Sequence, residues 1–334
     1  MTLLRFFSLL LASWTTIFTI SCNGNQQVSV HKAGRFLMGT LAEVTVAGPR
    51  DKAMAAAQAC LDEIRRVEDL ASFHRSSELT RINDMAGIAP VRVDPELLEL
   101  AQTSLRFAEH TDGAFDPTIG AVTRLWHFSG VQQPRVPEKK EVSDALSRVD
   151  WRLVQIDYRA GTIFLPERGM ELDFGGLAKG YALDRVNRLL KTMGVDAALV
   201  NIGGDILAVG EKSPGRPWRV GVRDPRNATE IRAVVSVTDK ILLTSGDYER
   251  FLDVDGRRYH HILDPKTGYP PTELQSVTLL APTGLTASSA AVFVMGVEKG
   301  MKYIDSIAGV TGMLIDSRGN VHLSSHAASS FEIQ

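Results

Sequence analysis

Cysteine is nearly missing from this chain. Cys22 and Cys60 are the only two among 334 residues. Two thiols exclude a Cys-rich metal site. An excess of charge is missing as well. Lys and Arg total 37, Asp and Glu total 39, and the formal net charge is −2. The basic residues are dispersed, so no nucleic-acid groove is marked and no nucleic-acid partner is expected. No internal repeat or low-complexity block stands out. What the chain does have is apolar mass. About 44% of its residues are hydrophobic, ample for a large buried core in one big domain or two intimate ones.

The one long apolar run is N-terminal. Phe6 to Ile20 follows Arg5 and is almost uncharged. It is too short for a comfortable membrane span and suits the core of a signal peptide. It ends at Ser21-Cys22, followed by the polar run Asn23 to Gln27. This resembles a bacterial lipoprotein signal, with Cys22 as the lipidated first residue of the mature protein. Thr19 departs from the aliphatic residue usual there; plain cleavage or an uncleaved anchor are the alternatives. The expectation is an exported, membrane-anchored lipoprotein facing the periplasm or cell exterior. With Cys22 lipidated, no disulfide forms within the mature chain. Cys60 falls on the apolar face of a predicted helix, as an inert core thiol.

Residues 1–22 are therefore read as signal, 23–33 as linker, 34–325 as the folded domain and 326–334 as a C-terminal tail. Arg35 to Val46 reads as strand, with a bulge at Met38-Gly39-Thr40. Residues 51–71 read as a helix, because Ala57, Cys60, Leu61, Ile64, Val67 and Ala71 share one face. Asp94-Pro95 opens a second helix, with cap and proline where helix starts want them. A polar stretch at 130–140 reads as a surface insertion, and 178–193 as a helix. Strands then bunch together: 197–201, 205–209, 218–222, 233–237, 241–244, 251–254 and 276–281. Two helices near 286–295 and 298–308 precede strands at 313–316 and 321–323. Strands bunched rather than alternating with helices predict an α+β fold with mainly antiparallel sheets packed with helices.

The richest segment for chemistry is Tyr259-His260-His261-Ile262-Leu263-Asp264-Pro265-Lys266-Thr267-Gly268-Tyr269-Pro270. Asp-Pro and Thr-Gly are breaker chemistry, so it is a loop leaving a strand. His261 has the pKa range for proton exchange near neutral pH, and Asp264 either orients it, holds a cation, or makes an Asx turn. In Asp173-Phe174-Gly175-Gly176-Leu177-Ala178-Lys179-Gly180-Tyr181, a strand (171–174) is expected to run through two glycines into a helix. Its free N–H groups and Lys179 suit a phosphate; a tight strand-to-helix turn explains the glycines equally. The spacing and terminal Ser/Thr of a Walker A loop are absent. Asn201-Ile202-Gly203-Gly204-Asp205 is read as a bulge or sharp bend. In Gly113-Ala114-Phe115-Asp116-Pro117-Thr118, an aromatic and glycines either clamp a flat ring or pack in the core. Ser76 or Ser77 before Glu78 suits a short helix start.

The order of these segments is specific where each alone is weak. Met38-Gly39-Thr40, Ser72-Phe73 with Ser77-Glu78-Leu79 and Ile82-Asn83, Gly113 to Thr118 with Leu125-Trp126, Asp173 to Tyr181, Asn201 to Asp205, Thr244-Ser245-Gly246-Asp247-Tyr248 and His260 to Gly268 occur in one line. Together they closely resemble the ApbE family, the FAD:protein FMN transferases, over roughly Arg35 to Ile315. The resemblance implies an exported enzyme, often lipid-anchored, that binds FAD with a divalent cation, usually magnesium. It would cleave the FAD pyrophosphate, attach FMN to a Thr or Ser hydroxyl of a partner protein and release AMP. The acceptor suggested is a protein of a membrane electron-transfer complex. By motif, Met38, Phe73, Ala114, Phe115 and Asp116 would line the FAD pocket. Asp173 would sit on the adenosine side, Lys179 near phosphate, and Ile262 against the cofactor. His261 is the candidate base for the acceptor hydroxyl, and Asp264 would hold its loop.

One segment departs from the family pattern. The metal is expected on the backbone carbonyl of Gly176 plus an Asp and, four residues later, a Thr. Anchored on Ala291 to Gly296, those positions are Thr286 and Ala290; anchored on Ala281 to Thr283, they are Ser288 and Val292. No carboxylate appears in either register, and the hydroxyls of Thr286, Ser288 or Ser289 are poorer ligands for magnesium. Weakened metal affinity is expected. Two rival functions follow: an FAD-binding lipoprotein without turnover, and a magnesium-dependent FAD hydrolase giving FMN and AMP.

Overall fold

The structure, a computed structural model, describes residues 29–129 and 132–334. The signal segment, Cys22 and most of the expected linker lie outside the described residues. Among those described, no helix is long and apolar enough to cross a membrane.

Period-two burial organises the main sheet. In Thr40–Ala47, Ala42, Val44 and Val46 are buried while Leu41 and Glu43 are exposed. The sheet has eight strands, in the spatial order Val30–Leu37, Thr40–Ala47, Ala198–Ile202, Asp205–Val209, Lys240–Gly246, Leu274–Ala281, Thr311–Asp316 and Val321–Leu323. Every neighbouring pair is antiparallel. Leu274–Ala281 is buried at all positions because both its faces are covered. Val277, Leu279 and Ala281 meet the helical side, and Leu280 meets the other. A smaller antiparallel sheet of Trp218–Arg223, Ile231–Val237 and Phe331–Ile333 closes that second face. The α+β class with mainly antiparallel sheets is what the structure has.

Helices α1 (Arg50–Ala71), α2 (Glu78–Asp84), α3 (Pro95–His110), α4 (Gly120–Trp126), α5 (Lys139–Leu146) and α6 (Gly175–Thr192) all come between the second and third strands of the main sheet. α7 (Ser289–Ser306) follows the strand ending at Ala281. α1 buries Ala53, Ala56, Ala57, Cys60, Leu61, Ile64, Val67 and Ala71, three and four residues apart, against the sheet. α3 starts where expected: Asp94 Oδ1 accepts from the Glu96 N–H at 2.8 Å, with Pro95 in the first turn. Ser77 caps α2 with a reciprocal Thr80 bond.

Four expectations change. Arg35 to Val46 is two strands, not one bulged strand; Leu37 pairs with Thr40, and Met38 and Gly39 form the turn with φ of 52° and 71°. Both central residues are left-handed, which a two-residue hairpin between twisted strands favours. No strand covers 171–174; Glu171 makes only an isolated parallel bridge to Ile119. α5 begins at the end of the stretch read as an insertion, started by a capping box of Glu138 and Glu141. Residues 326–334, read as a tail, include Phe331–Ile333, which completes the smaller sheet by pairing with Ala233–Val235. The two helices expected near 286–295 and 298–308 are there as the two halves of α7, which meet at Gly296, where φ is 75° and ψ −169°.

Cys60 is fully buried, and burial together with the nearby Glu63 charge pushes its thiol up to about 12. In the chain from Asn23 onward, a maleimide at pH 8 is therefore expected to leave the folded protein unlabelled and to add one label in urea, as read by intact mass. Labelling of the folded protein at the denatured rate would contradict this packing.

Candidate active site

The described residues enclose a cavity of about 760 Å³. Many pieces of chain converge on it, among them the Met38–Thr40 turn, the loop before α4, the start of α6, the strand end Leu243–Gly246, the loop after His260 and the start of α7. Met38, Phe73, Ala114, Phe115, Asp116, Asp173, Lys179, His261 and Ile262 all line it. So do Gly176, Ser289 and Ala290. Thr286 does not; its hydroxyl meets that of Thr283 at 2.8 Å.

Glycines set the close approaches. A Cβ on Gly203 would fall 2.5 Å from Thr40 Oγ1, so the tips of two hairpins abut at the cavity wall. Of the bulge and the sharp bend expected at Gly203 and Gly204, the bend is present, as a two-residue turn between paired Ile202 and Asp205. A Cβ on Gly176 would come 3.1 Å from the Phe115 ring, which lies against the first turn of α6. That ring also packs edge-on to Phe107 at 6.2 Å, so Phe115 is both core and cavity wall. Asp173 Oδ1 accepts from the Gly175 N–H at 2.8 Å and so starts α6.

The acidic groups differ in what they are free to do. Asp116 is buried and committed to its own loop: Oδ1 accepts from Thr118 N–H at 2.8 Å and Thr118 Oγ1 at 2.6 Å, and Oδ2 from Trp151 N–H at 3.3 Å. Burial raises its pKa against those bonds. Asp205 accepts from Thr244 N–H at 2.8 Å and faces Lys179 Nζ at 3.9 Å. Burial raises its pKa too, and Lys179 opposes the shift. Asp264 holds its loop, accepting from Lys266 N–H at 2.8 Å through Oδ1 and from Gly268 N–H at 2.8 Å through its carbonyl.

The adjacent histidines have opposite environments. His260 is satisfied at both nitrogens, accepting from Ile262 N–H at 3.3 Å and donating to the Pro271 carbonyl at 2.9 Å. His261 faces the cavity, and its Nδ1 is buried with no partner among the described residues. Burial first, then the charges of Arg250 and Lys179, hold its pKa well below the usual histidine range. It is a neutral imidazole with an unpartnered ring nitrogen, on the wall of a cavity that cations also line.

Comparison with known proteins fits this geometry. The sequence profile of the ApbE family matches residues 38–315. The chain belongs to the ApbE family. An FAD:protein FMN transferase of Treponema pallidum is 39% identical over 319 residues, covering 88% of this chain and 87% of its own length. One of Klebsiella pneumoniae is 34% identical over 267 residues, with 78% and 82% covered. The ApbE protein of Thermotoga maritima superposes with a TM-score of 0.83 at 35% identity, over 89% of this chain and 97% of that one. The flavin transferase ApbE of Vibrio cholerae gives 0.80 at 25% identity, over 91% and 99%.

Within this ApbE chain, four cavity residues escaped the sequence reading. Asp205 was visible only as the last residue of a glycine turn. Ser245 was visible only inside the Thr244 to Tyr248 motif, with no role given to it, and Arg250 and Arg124 carried no local signal. Arg124 is spent: it grips Glu171 at 2.7 and 3.0 Å and lies 4.5 Å over the Phe73 ring. Ser245 Oγ bonds Ser289 Oγ at 2.9 Å.

The donor set does not fit a divalent cation. Ala290 has no side-chain donor, Ser289 is tied to Ser245, and Ser288 accepts from Ala291 N–H at 3.2 Å as the cap of α7. Among the described residues, no three His, Cys, Asp or Glu side chains are grouped to hold a metal. Magnesium prefers carboxylate oxygens and its own waters, and here hydroxyls already committed elsewhere are what remain.

The loop carrying these positions is fixed by Asp184. Its two oxygens accept from Gly284 N–H at 2.8 Å and Leu285 N–H at 3.2 Å, and Gly180 and Gly284 touch backbone to backbone. Asp184→Ala strands two N–H groups, one of them buried, and is expected to cost about 1–3 kcal/mol. Urea unfolding checks it; an unchanged midpoint would mean that water replaces the carboxylate at no cost.

Proposed function

We propose that this chain is a transferase that cleaves FAD and attaches FMN to a Thr or Ser hydroxyl of an acceptor protein, releasing AMP. The observation that carries the reading is His261, neutral and unpartnered at Nδ1, beside Lys179 and Arg250 on the cavity wall. The cavity, about 760 Å³, is of the size that holds a large cofactor. In the step itself, the acceptor hydroxyl oxygen attacks the FMN phosphorus and its proton passes to His261. A new phosphoester P–O bond forms as the pyrophosphate P–O bond breaks. AMP departs with the bridging oxygen. Lys179 stands one turn into α6, where an ammonium offsets phosphate charge. Met38, Phe73, Phe115 and Ile262 supply apolar wall for a flavin or adenine ring, with Ala114, Asp116 and Asp173 shaping the loops between them. Magnesium, expected from the family, finds no carboxylate at Gly176, Thr286, Ser289 and Ala290, and no step is assigned to it.

Export and a lipid anchor at Cys22 belong to the same reading, supported by the apolar run Phe6 to Ile20 and the polar residues after Cys22. They would put the cavity beside membrane electron-transfer proteins, the class of acceptor proposed. The altered metal segment also supports a second reading, FAD binding without turnover. The chain from Asn23 onward, mixed with FAD and an acceptor domain bearing a reactive Thr, separates these. Covalent flavin fluorescence on the acceptor in a denaturing gel is expected. FAD bound but intact would favour the binding protein, and free FMN and AMP without a labelled acceptor would favour hydrolysis.

A further inference from the structure

We propose that Arg250 and Lys179 form a cationic cradle that holds the FAD pyrophosphate in place of a divalent ion. The inference rests on the FAD reading above and on three observations. First, the positions expected to hold the ion offer no carboxylate, and their hydroxyls are engaged with Thr283, Ser245 and the α7 backbone. The charge that an ion would bring must come from elsewhere, since a pyrophosphate entering a cavity loses water that only cations or donors replace.

Second, Arg250 is the cavity arginine left without an acidic partner. Arg124 is neutralised by Glu171, and Arg226, outside the cavity, clamps Asp247 at 2.8 and 2.6 Å. The Arg250 side chain donates to Ser129 Oγ and to no carboxylate among the described residues. Asp173 and Glu249 act on it only through space. Arg250 is exposed to solvent, and the protein around its guanidinium pulls its pKa down. A guanidinium so placed gains most from an anion that accepts two N–H bonds at once, as phosphate does.

Third, Lys179 is only loosely held. Its ammonium stands 3.9 Å from Asp205, beyond a good hydrogen bond, and its charge reaches His261 together with that of Arg250. The two cations line the same cavity as His261 and come from different elements, α6 and the turn after Gly246. A phosphate held by both would share that cavity with His261.

The test is FAD binding, read by quenching of flavin fluorescence, with the chain from Asn23 onward. The dissociation constant is expected to agree within about twofold in EDTA and in millimolar magnesium, and magnesium alone should give no binding heat in calorimetry. Arg250→Gln, and independently Lys179→Gln, should weaken FAD about 10- to 100-fold while leaving riboflavin, which has no phosphate, within about threefold. A tenfold loss of FAD affinity in EDTA, or saturable magnesium heat, overturns the proposal. Equal weakening of riboflavin and FAD in both variants also overturns it, because the cations would then be shaping the pocket. If the unaltered chain binds no FAD in either buffer, the FAD reading itself falls.

Discussion

His261→Ala is expected to slow FMN transfer about 10²- to 10⁴-fold and to leave FAD affinity within about threefold. The expectation follows from the two ring nitrogens of each histidine in the pair. His260 is bonded at both and packs edge-on to Phe293 at 5.2 Å, so its replacement should cost stability. His261 Nδ1 makes no such bond, so its loss removes a base without unpicking the fold. Covalent flavin per acceptor over time, beside an FAD titration, reads both quantities. Loss of FAD binding equal to the loss of transfer would sink the role of base.

The same residue sets a pH dependence. Burial, Arg250, Lys179 and His260 all depress its pKa, so His261 stays deprotonated below the ordinary histidine value of about 6.5. The acid limb of the transfer rate should therefore lie below pH 6.5. The stability effect has the same sign. Below about pH 6.5 the unfolded chain takes up a proton that the folded chain refuses, so stability is full above that pH and falls as pH drops toward the folded pKa. His261→Ala should flatten that slope between pH 7 and 5 in thermal melts. An unchanged slope would mean that the imidazole is solvated and titrates normally.

What could be read from the sequence divides along physical lines. α1 and α3 were legible because their apolar periodicity and caps are local: Ala57 to Ala71 repeats on one face, and Asp94-Pro95 announces a start. The strands named between residues 197 and 323 were legible for the same reason, to within one or two residues. The Met38 turn was misread because a non-glycine residue at φ 52° leaves no mark in composition. The site was legible as an ordered set of motifs, and those motifs line one cavity. Arg250 and Asp205 were not, because their roles depend on who fails to pair with them. Arg124, Arg226 and Arg250 look alike in the chain; Glu171 and Asp247 take the first two out of play. Thr286 fell outside the cavity because its hydroxyl turns to Thr283, a choice of rotamer and loop that spacing cannot fix.

Trp126→Ala is expected to cost about 3–5 kcal/mol and to lower the transfer rate beyond what unfolding explains. Trp126 ends α4 and is fully buried. Its ring stacks on Phe128 at 5.7 Å and meets Tyr259 and Tyr269, each at 5.6 Å. Those two tyrosines bracket the His260–Gly268 loop, and Trp126 Nε1 donates to the Gly268 carbonyl at 3.1 Å. Alanine removes the wall on which both ends of that loop rest and leaves a buried carbonyl unpaired. Trp126→Phe keeps most of the apolar contact and loses the N–H, so about 1 kcal/mol is expected there. His261 lies two residues from Tyr259, and its free nitrogen acts only while the loop holds it against the cavity. Measured at low temperature, where both variants remain folded, kcat should fall in the order wild type, Trp126→Phe, Trp126→Ala. A stability loss with kcat unchanged would mean that the loop is positioned by Asp264 and the Pro271 contact of His260 alone.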